Sequence, residues 1–227
     1  MESYICGDVA FYDECKNIIM SVVLSGFNDL SIDELVVIHR EAFSEHYNSK
    51  LGDIYTKAFL RWFGKNKNTV FVQASEGQNG KTLGYICGAL EGYGNKMNKD
   101  LFPYMIASFA IRPWILADKR FFKMFLPKLK VILSNKSITN PLYPEDLKPA
   151  FSAVSLATDP SAPKHYKLSD ILYEEFLKKA KELGANSVKG TVLKKNKLAL
   201  VYYIHNNWSI FKSGQSNTET ITIYKKL

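Results

Sequence analysis

The chain has 227 residues, of which 46% are hydrophobic and 23% charged, and its formal net charge at pH 7 is +8. A chain of this length and composition can bury a sizeable core without stabilising disulfide bonds or metal ions. This excludes the disordered proteins and the small proteins that depend on disulfide bonds. The positive charge favours an acidic partner such as nucleic acid, a phosphorylated ligand or an anionic membrane surface, although many small proteins are mildly basic without one.

The cysteines and histidines indicate no metal site. Cys6, Cys15 and Cys87 are widely spaced and odd in number, which argues against a disulfide framework, and the four histidines form no ligand pattern. The N-terminus carries an early acid and no basic region, so no secretory signal is predicted. The longest uncharged runs are too short to span a bilayer, and a cytoplasmic location is predicted.

The first third of the chain predicts two helices. The apolar segment Cys15–Phe27 fits either a helix or a buried strand. Ser31 and Glu34 then have the spacing of a capping box, with Ser31 as the N-cap. Apolar residues follow at helical spacing, namely Leu35, Ile38, Ala42 and Phe43. A second helical pattern covers residues 54–63 and ends at Gly64.

The pattern then changes from helix to strand. Residues 69–75 and 83–90 are typical of two strands, and the loop between them is rich in turn formers, so a hairpin is predicted. Residues 92–100 are predicted to form a loop, and residues 119–133 an apolar, basic helix that Pro127 breaks or kinks. A loop punctuated by prolines then leads to the next strand.

The last third of the chain alternates strands and helices. A strand, Phe151–Thr158, is followed by a turn and by a helix, Ile171–Leu183. Gly184 is suited to end this helix because glycine readily adopts the left-handed conformation that follows a helix. The remaining pattern predicts a strand, a short helix and two closing strands, in residues 186–195, 197–207, 208–213 and 219–227. Strands alternating with helices predict a mixed α/β single domain.

The turn between that strand and helix, residues 164–170, reads KHYKLSD. A strand, a short turn and a helix start form a natural anion site, because the first amides of a helix lack partners and its dipole favours negative charge. Such turns usually carry glycines, which let the backbone approach a ligand, and this turn has none. Taken alone, it is better explained as a solvated basic turn.

Its neighbours change that interpretation, since residues 155–208 resemble the core of the GNAT superfamily of acetyl-CoA-dependent N-acetyltransferases. In that family a strand is followed by the pattern Q/R-x-x-G-x-G/A and a helix. The six positions here are Lys164, His165, Tyr166, Lys167, Leu168 and Ser169. The resemblance implies that these residues bind the cofactor, with Lys164 and Lys167 adding positive charge where the glycines are missing. Lys167 and Ser169 can keep the backbone amides aimed at a phosphate if those positions are helical.

A second family pattern lies downstream. It is Asn-x-x-Ala-x-x-aromatic-Tyr, followed by a Gly-Phe pair. The matching residues, at every spacing, are Asn196, Ala199, Tyr202 and Tyr203, with Asn207-Trp208 in the Gly-Phe place. The strand at 83–90 is also similar to a family strand. The resemblance covers residues 66–92 and 151–227.

The resemblance implies a fold and a reaction. The fold is α/β, a single GNAT-like domain over residues 1–227 with a mixed, mostly antiparallel sheet flanked by helices. Residues 93–150 form an insertion before the cofactor-binding strand and shape the acceptor site. The reaction is direct attack of a small-molecule primary amine on acetyl-CoA, the co-substrate. The alternative is a GNAT-fold module that has lost catalysis and binds CoA or a protein partner.

The resemblance also assigns roles to single residues. Tyr203 is implied as the general acid, since a phenol is protonated at neutral pH and can protonate a leaving thiolate; core packing is its alternative role. Tyr202 is expected to point into the core. Asn196 is implied in contact with pantetheine, and a plain helix N-cap is the alternative. The small Ala199 leaves room for the CoA sulfur. Backbone groups for pantetheine and the oxyanion are implied on Leu156, Ala157 and Thr158.

The acceptor and the base are less defined. Residues 35–63 are similar to a GNAT branch that modifies surface polysaccharides and amino sugars, through His39, Phe43, Leu51 and Gly52. These are equally explained as core helices with a turn. The branch implies an amino-sugar acceptor, linked to a nucleotide, which would suit the positive charge. Candidates for a general base are Glu41, Glu45, His46, Asp159 and His165.

Nucleic acids and membranes are the two remaining classes of partner. Nucleic-acid binding is disfavoured, because the lysines are scattered along the sequence and no known nucleic-acid recognition motif is present. No transmembrane segment is predicted, and a peripheral membrane contact through the basic, apolar residues 119–130 stays open. The oligomeric state does not follow from the sequence.

Overall fold

The structure, a computed structural model, describes residues 22–78, 80–117, 143–211 and 219–227. Its centre is a seven-stranded sheet in the order β1-β2-β3-β4-β5-β7-β6. The strands are β1 Val22–Ser25, β2 Thr69–Glu76, β3 Thr82–Leu90, β4 Ala150–Thr158, β5 Ser187–Leu193, β6 Ser209–Phe211 and β7 Thr220–Lys226. Neighbouring strands are antiparallel except β4 and β5, which are parallel.

Helices cover both faces of this sheet. They are α1 Ile32–Ala42, α2 Tyr47–Lys50, α3 Asp53–Lys65, α4 Tyr93–Ile111, α5 Leu168–Glu182 and α6 Lys197–His205. Helices α1, α3 and α4 pack on one face, and α5 packs on the other. The predicted fold class, a mixed and mostly antiparallel sheet flanked by helices in one α/β domain, is confirmed.

Each face of the sheet has its own apolar core. On the α1 side, Leu35, Leu60 and Phe63 are almost fully buried, and on the α5 side so are Phe151 and Phe176. Burying one such side chain stabilises the fold by roughly 1.5–3 kcal/mol. The two cores hold β3 and β4 between them, and this fixes the position of the backbone that forms the candidate site.

The predicted capping box at α1 is wrong. Ser31 is the N-cap, but its hydroxyl makes no capping bond and instead lies 2.9 Å from the Asn28 carbonyl and 3.0 Å from Gln73 Oε1. Glu34 Oε2 accepts a hydrogen bond from the amide of Thr82 at 2.8 Å. Both side chains therefore fasten α1 to the β2–β3 hairpin, and these long-range partners outcompete the local ones.

Two helix boundaries also differ from the prediction. Helix α3 continues through Gly64 to Lys65. Glycine is required there because a Cβ atom would collide with the ring of Phe27. Residues 92–100, predicted as a loop, are mostly the first half of α4. The buried residues of α4 begin only at Leu101, so the segment before it lacks the apolar period that would reveal a helix.

The other predicted elements that the structure describes are confirmed. They include the hairpin, the strand and helix around the turn at 164–170, and the strand, short helix and two closing strands that follow. Gly184 follows α5 with φ +82°, as predicted. The end of the segment Cys15–Phe27 is strand β1. The helix predicted at 119–133 and most of that first segment lie outside the described residues, as do Cys6 and Cys15. Within the described residues, none of the helices has the length and hydropathy to cross a membrane.

Candidate active site

The only parallel pair among the described strands is where the sheet opens. β4 and β5 pair over Ala150–Ser152 and Ser187–Lys189. Both strands continue beyond this point, to Thr158 and Leu193, without pairing to each other. A cavity of about 430 Å³ lies in the gap. Its walls are the two diverging strands, the start of α5, helix α6, and Phe43 with His46.

The open edge of β4 presents backbone groups to this gap. The amide of Asp159 donates to the carbonyl of Leu83 on β3 at 2.7 Å. Because backbone groups alternate in direction along a strand, those of Ala157 also face β3, with which it pairs, while those of Leu156 and Thr158 face the gap. Of the three predicted backbone sites, Leu156 and Thr158 are therefore available to a ligand and Ala157 is not.

A bulge lies in the same stretch of β4. Cys87 pairs with Ser155, but the next β3 residue, Gly88, pairs with Ala153, so Val154 is an extra residue. A bulge bends its strand and increases the local twist, and bulges are frequent beside functional sites. Here the bulge lies just beyond the last residue at which β4 pairs with β5, so it helps to turn β4 away from its neighbour.

Helix α6 contributes the second motif to this cavity. The side chain of Asn196 accepts a hydrogen bond from the amide of Ala199 at 3.1 Å and caps the helix. Asn196, Ala199 and Tyr203 all line the cavity. Ala199 and Tyr203 thus lie on one helix face, as their i, i+4 spacing predicts.

The hydroxyl of Tyr203 is hydrogen bonded to that of Tyr173 on α5. Its ring packs edge-on against Tyr173 and Trp208, with ring centroids 5.6 and 5.1 Å away. Burial raises the pKa of Tyr203, and the hydrogen bond with Tyr173 lowers it in part. Burial also raises the pKa of Tyr173 well above its usual value. Both phenols are therefore protonated at neutral pH.

Tyr202, which was predicted to point into the core, packs against the core on the α5 side of the sheet. Tyr202 is half-buried and lines the same cavity, and its hydroxyl donates to Asp170 Oδ1 at 2.7 Å. Burial and the Asp170 carboxylate raise the pKa of Tyr202. Tyr202 therefore contacts both the core and the cavity, and like every other residue of α6 it is not fully buried.

Of the two turn positions whose helical geometry would aim amides at a phosphate, Lys167 and Ser169, only one is helical. Residues Lys164–Tyr166 form a 3₁₀ turn, and Lys167 has φ +46° and ψ +43°, so Lys167 is left-handed and not helical. Ser169 is helical, as expected. A left-handed conformation costs a non-glycine residue roughly 1–2 kcal/mol. Lys167 therefore holds, at a cost, the conformation that is freely available to glycine at this motif position.

The six turn residues are not all at the cavity. Ser169 lines it, whereas Leu168, the first residue of α5, is buried in the core, and the four residues before Leu168 do not line the cavity. Lys164 and Lys167 are exposed, and among the described residues neither forms an ion pair. His165 packs edge-on against Tyr166, with ring centroids 4.8 Å apart. The turn thus places two free cations at the N-terminus of α5.

Among the candidate bases, only His46 lines the cavity. Burial lowers its pKa, Lys195 lowers it further, and Glu45 opposes this. Asp159 is paired with Lys81 at 2.6 Å; burial raises its pKa, but the bonds from Lys81 and Ser161 lower it overall. Glu41, Glu45 and His165 are exposed.

A buried polar chain beside the cavity was missed by the sequence analysis. His39 Nδ1 is hydrogen bonded to the hydroxyl of Tyr85, which lies 2.9 Å from Ser155 Oγ. Ser155 lines the cavity. The one signal in the sequence is that His39 occupies the apolar stripe of α1, four residues after Leu35, where a histidine must find a buried partner.

Two other cavities are notable, and one of them borders this region. One, of about 320 Å³, lies where β4 and β5 separate and is lined by Tyr93, Ser152 and Lys189 among others. Burial raises the pKa of Tyr93 to about 12. The other, of about 520 Å³, lies between the end of α3 and the start of α4 and contains none of the motif residues.

No protein-family model matches the sequence, and no curated protein is found as a relative. Solved structures do match the fold. The PaiA N-acetyltransferase of Thermoplasma acidophilum, in complex with coenzyme A, is 14% identical, with a TM-score of 0.50 over 92% of this chain and 100% of that one. A GCN5-related N-acetyltransferase of Kribbella flavida is 12% identical, with a TM-score of 0.54 over 91% of this chain and 98% of that one. NAA60 of Arabidopsis thaliana, in complex with a bisubstrate analogue, is 12% identical, with a TM-score of 0.55 over 91% of this chain and 99% of that one.

The chain has the GNAT fold. At these identities the likeness establishes the architecture alone, since a fold can carry more than one function. The architecture agrees with the resemblance seen in the motifs, which were identified independently of it. The residues of the cavity carry the functional argument.

Proposed function

We propose that the protein is a GNAT-type N-acetyltransferase, which moves an acetyl group from acetyl-CoA to a primary amine. The observation that carries this proposal is the cavity between the diverging strands β4 and β5. It brings together the open edge of one strand and Asn196, Ala199 and Tyr203 of the second motif. The solved structures with a similar fold support the proposal, since one of them, PaiA, was crystallised in complex with coenzyme A.

The donor would be held by backbone groups and by charge. The free groups of Leu156 and Thr158 would bind the pantetheine arm as an added strand, and the side chain of Asn196 would border it. The amides at the start of α5 would face the phosphates, which a helix N-terminus attracts. Lys164 and Lys167 add positive charge there. The left-handed Lys167 fits this role because it gives the turn the backbone course that glycine gives in the family pattern.

Acetyl-CoA supplies the activated acyl group, and Tyr203 would act on its leaving sulfur. Either phenol could donate in the hydrogen bond between Tyr173 and Tyr203; in the proposed mechanism Tyr173 would donate to the Tyr203 oxygen, consistent with the lowering of the Tyr203 pKa by that bond. The hydroxyl proton of Tyr203 is then free to point into the cavity. Because a phenol keeps its proton at neutral pH, Tyr203 can give it to the thiolate as that group leaves.

For the acceptor, we favour an amino sugar, linked to a nucleotide, whose phosphates would suit the net charge of +8. The described part of the predicted insertion, residues 93–117 and 143–150, supports a role on the acceptor side. Its first residue, Tyr93, lines the smaller cavity beside the gap together with Lys189. Phe43, from the segment that resembles the amino-sugar branch, lines the larger one.

The alternative is a GNAT-fold module that binds CoA or a protein partner without catalysis. Isothermal titration with CoA and desulfo-CoA, followed by a thiol-release assay, separates the two. The assay would contain acetyl-CoA and a panel of amines: glucosamine, UDP-linked amino sugars and short peptides. We expect micromolar binding and release of thiol with at least one amine. Binding without any turnover would support the module, and no binding of either ligand would refute the proposal.

A further inference from the structure

A hydrogen-bonded chain of three buried side chains connects the cavity to helix α1. Ser155 of β4, Tyr85 of β3 and His39 of α1 expose 6%, 0% and 6% of their surfaces. Tyr85 is the middle member, bonded to both of the others. None of the three belongs to the donor motifs. Ser155 is the member that lines the cavity, so the chain has one open end.

The positions of the atoms allow either direction for both hydrogen bonds, and relative acidity favours one of them. A phenol, with a pKa of about 10, is a far stronger acid than a neutral imidazole N–H, so we assign Tyr85 as the donor to His39 Nδ1. The His39 ring must be neutral for this. Burial, and the neighbouring charge of His46, lower its pKa to about 4. The one hydroxyl proton of Tyr85 is then used in the hydrogen bond to His39, so Ser155 donates to the Tyr85 oxygen.

The open end of the chain is therefore an acceptor. With its own proton committed to Tyr85, Ser155 Oγ has a lone pair left for a donor in the cavity. A hydroxyl without this chain would rotate freely and could present either a proton or a lone pair. The next step rests on the proposed function. The hydrogen-bond donor that needs a fixed acceptor is the attacking amine, because its lone pair must face the acyl carbon.

We infer that Ser155 accepts an N–H hydrogen bond from the acceptor amine, and that Tyr85 and His39 are positioning residues that fix the direction of the Ser155 hydroxyl. Ser155 lies on β4 and Tyr203 on α6, two different walls of the same cavity. The chain would thus hold the nucleophile while Tyr203 serves the leaving group. It does not store the proton of the amine, because burial holds the pKa of His39 well below 7 and the ring is neutral at that pH.

Kinetics of four variants test the inference, with acetyl-CoA and the best amine of the panel named above. We expect Ser155→Ala and Tyr85→Phe each to lower kcat at least about tenfold, while the KM for acetyl-CoA stays within twofold. The double variant should be no slower than the slower single variant, because the two residues act as one unit. Ser155→Thr, which keeps the hydroxyl, should recover most of the activity.

Thr82→Val is the control, because it removes a buried hydroxyl and keeps the shape of the side chain. Thr82 exposes 1% of its surface, its hydroxyl accepts a hydrogen bond from Gln73 Nε2 at 3.3 Å, and it lies outside the cavity. We expect it to lower the melting temperature as much as Tyr85→Phe does, with kcat retained. If Tyr85→Phe and Ser155→Ala also retained kcat in a wild type that is active, the chain would be structural and the inference would be wrong. A wild type inactive with every amine would instead refute the proposed function.

The direction of the chain has a test that does not need activity. In ¹⁵N NMR spectra of the histidine rings, the wild type should show His39 as the Nε2–H tautomer, with Nδ1 unprotonated and hydrogen bonded. Tyr85→Phe should remove that hydrogen-bond shift. A wild-type His39 with its proton on Nδ1 would reverse the chain and overturn the inference, whatever the kinetics show.

Discussion

At the scale of single residues, Tyr203 carries the proposed chemistry. Tyr203→Phe keeps the ring packing against Trp208 and Tyr173 and removes only the proton donor. General acid catalysis supplies about 10²–10⁴-fold in rate, so we expect kcat to fall at least roughly tenfold. Binding of acetyl-CoA, measured by calorimetry, and thermal stability should change little.

Tyr202→Phe is the control for this variant, since Tyr202 lies on the same helix and lines the same cavity. Its hydroxyl is committed to Asp170, so its loss should affect kcat much less. Full activity of Tyr203→Phe with the best amine would reduce Tyr203 to a packing residue.

His39 makes the stability of the protein depend on pH. Its pKa is about 4 in the folded protein and near 6.5 when unfolded. The unfolded chain therefore binds a proton more readily between these values. The stability due to neutral His39 is fully present above about pH 6.5 and is lost as the pH falls toward 4, by about 3 kcal/mol in all.

Denaturant unfolding of the wild type and of His39→Gln from pH 7 to pH 4 measures this effect. The variant loses packing at every pH, so only the change in the difference between the two proteins is informative. We expect that difference to shrink by about 3 kcal/mol over the range. A difference independent of pH would show that His39 is not held neutral.

The residues of the second motif were predictable and those of the buried chain were not, for one physical reason. Asn196, Ala199 and Tyr203 share a helix, so local spacing places them together. The bonds of Tyr85 to His39 and Ser155 join residues 46 and 70 positions apart. Such contacts depend on how the helices and strands pack, which periodicity does not report.

At the scale of elements, the turn before α5 holds Lys167 in a strained conformation. Lys167→Gly should relieve roughly 1–2 kcal/mol of left-handed strain, against about 0.5–1 kcal/mol of extra chain entropy in the unfolded state. We expect a net gain of up to about 1 kcal/mol in unfolding free energy, measured with denaturant. Lys164→Gly, in the 3₁₀ turn just before it, should give no gain. Equal effects of the two variants would show that Lys167 is not strained.

The charge of the same turn is a separate matter. Changing both Lys164 and Lys167 to Glu would replace two free cations at the helix N-terminus by anions. The KM for acetyl-CoA should then rise severalfold, and more steeply at low ionic strength, with kcat nearly unchanged. The matched control is the same double change at Lys178 and Lys181, which lie on α5 away from its N-terminus. An unaltered KM for acetyl-CoA would place its phosphates elsewhere.

The largest error of the sequence analysis was also at this scale. The first half of α4 lacks buried residues, so no apolar period marks it as helical. Contacts with α3 hold it in place, among them the bond from Trp62 Nε1 to Asp100 at 2.8 Å. A helix stabilised by a neighbour in this way carries little signal in its own sequence.

At the scale of the whole molecule, the donor motifs all lie in β4 and in the elements that follow it along the chain. We predict that residues 93–150 serve the acceptor, because the donor motifs are complete without them. Phe102→Ala and Trp114→Ala should change the KM or kcat for the amine and leave the calorimetric affinity for CoA unchanged. Trp114, 67% exposed, is the less disruptive site. Loss of CoA binding in a folded Trp114 variant would contradict this assignment.

The central claim is that CoA binds in the gap between β4 and β5. A crystal structure of the protein soaked with CoA tests this claim most directly. We predict electron density for pantetheine along Leu156–Thr158, with the sulfur near Tyr203 and the pyrophosphate at the start of α5. Density at another site, or an empty gap in crystals soaked with millimolar CoA, would contradict the account.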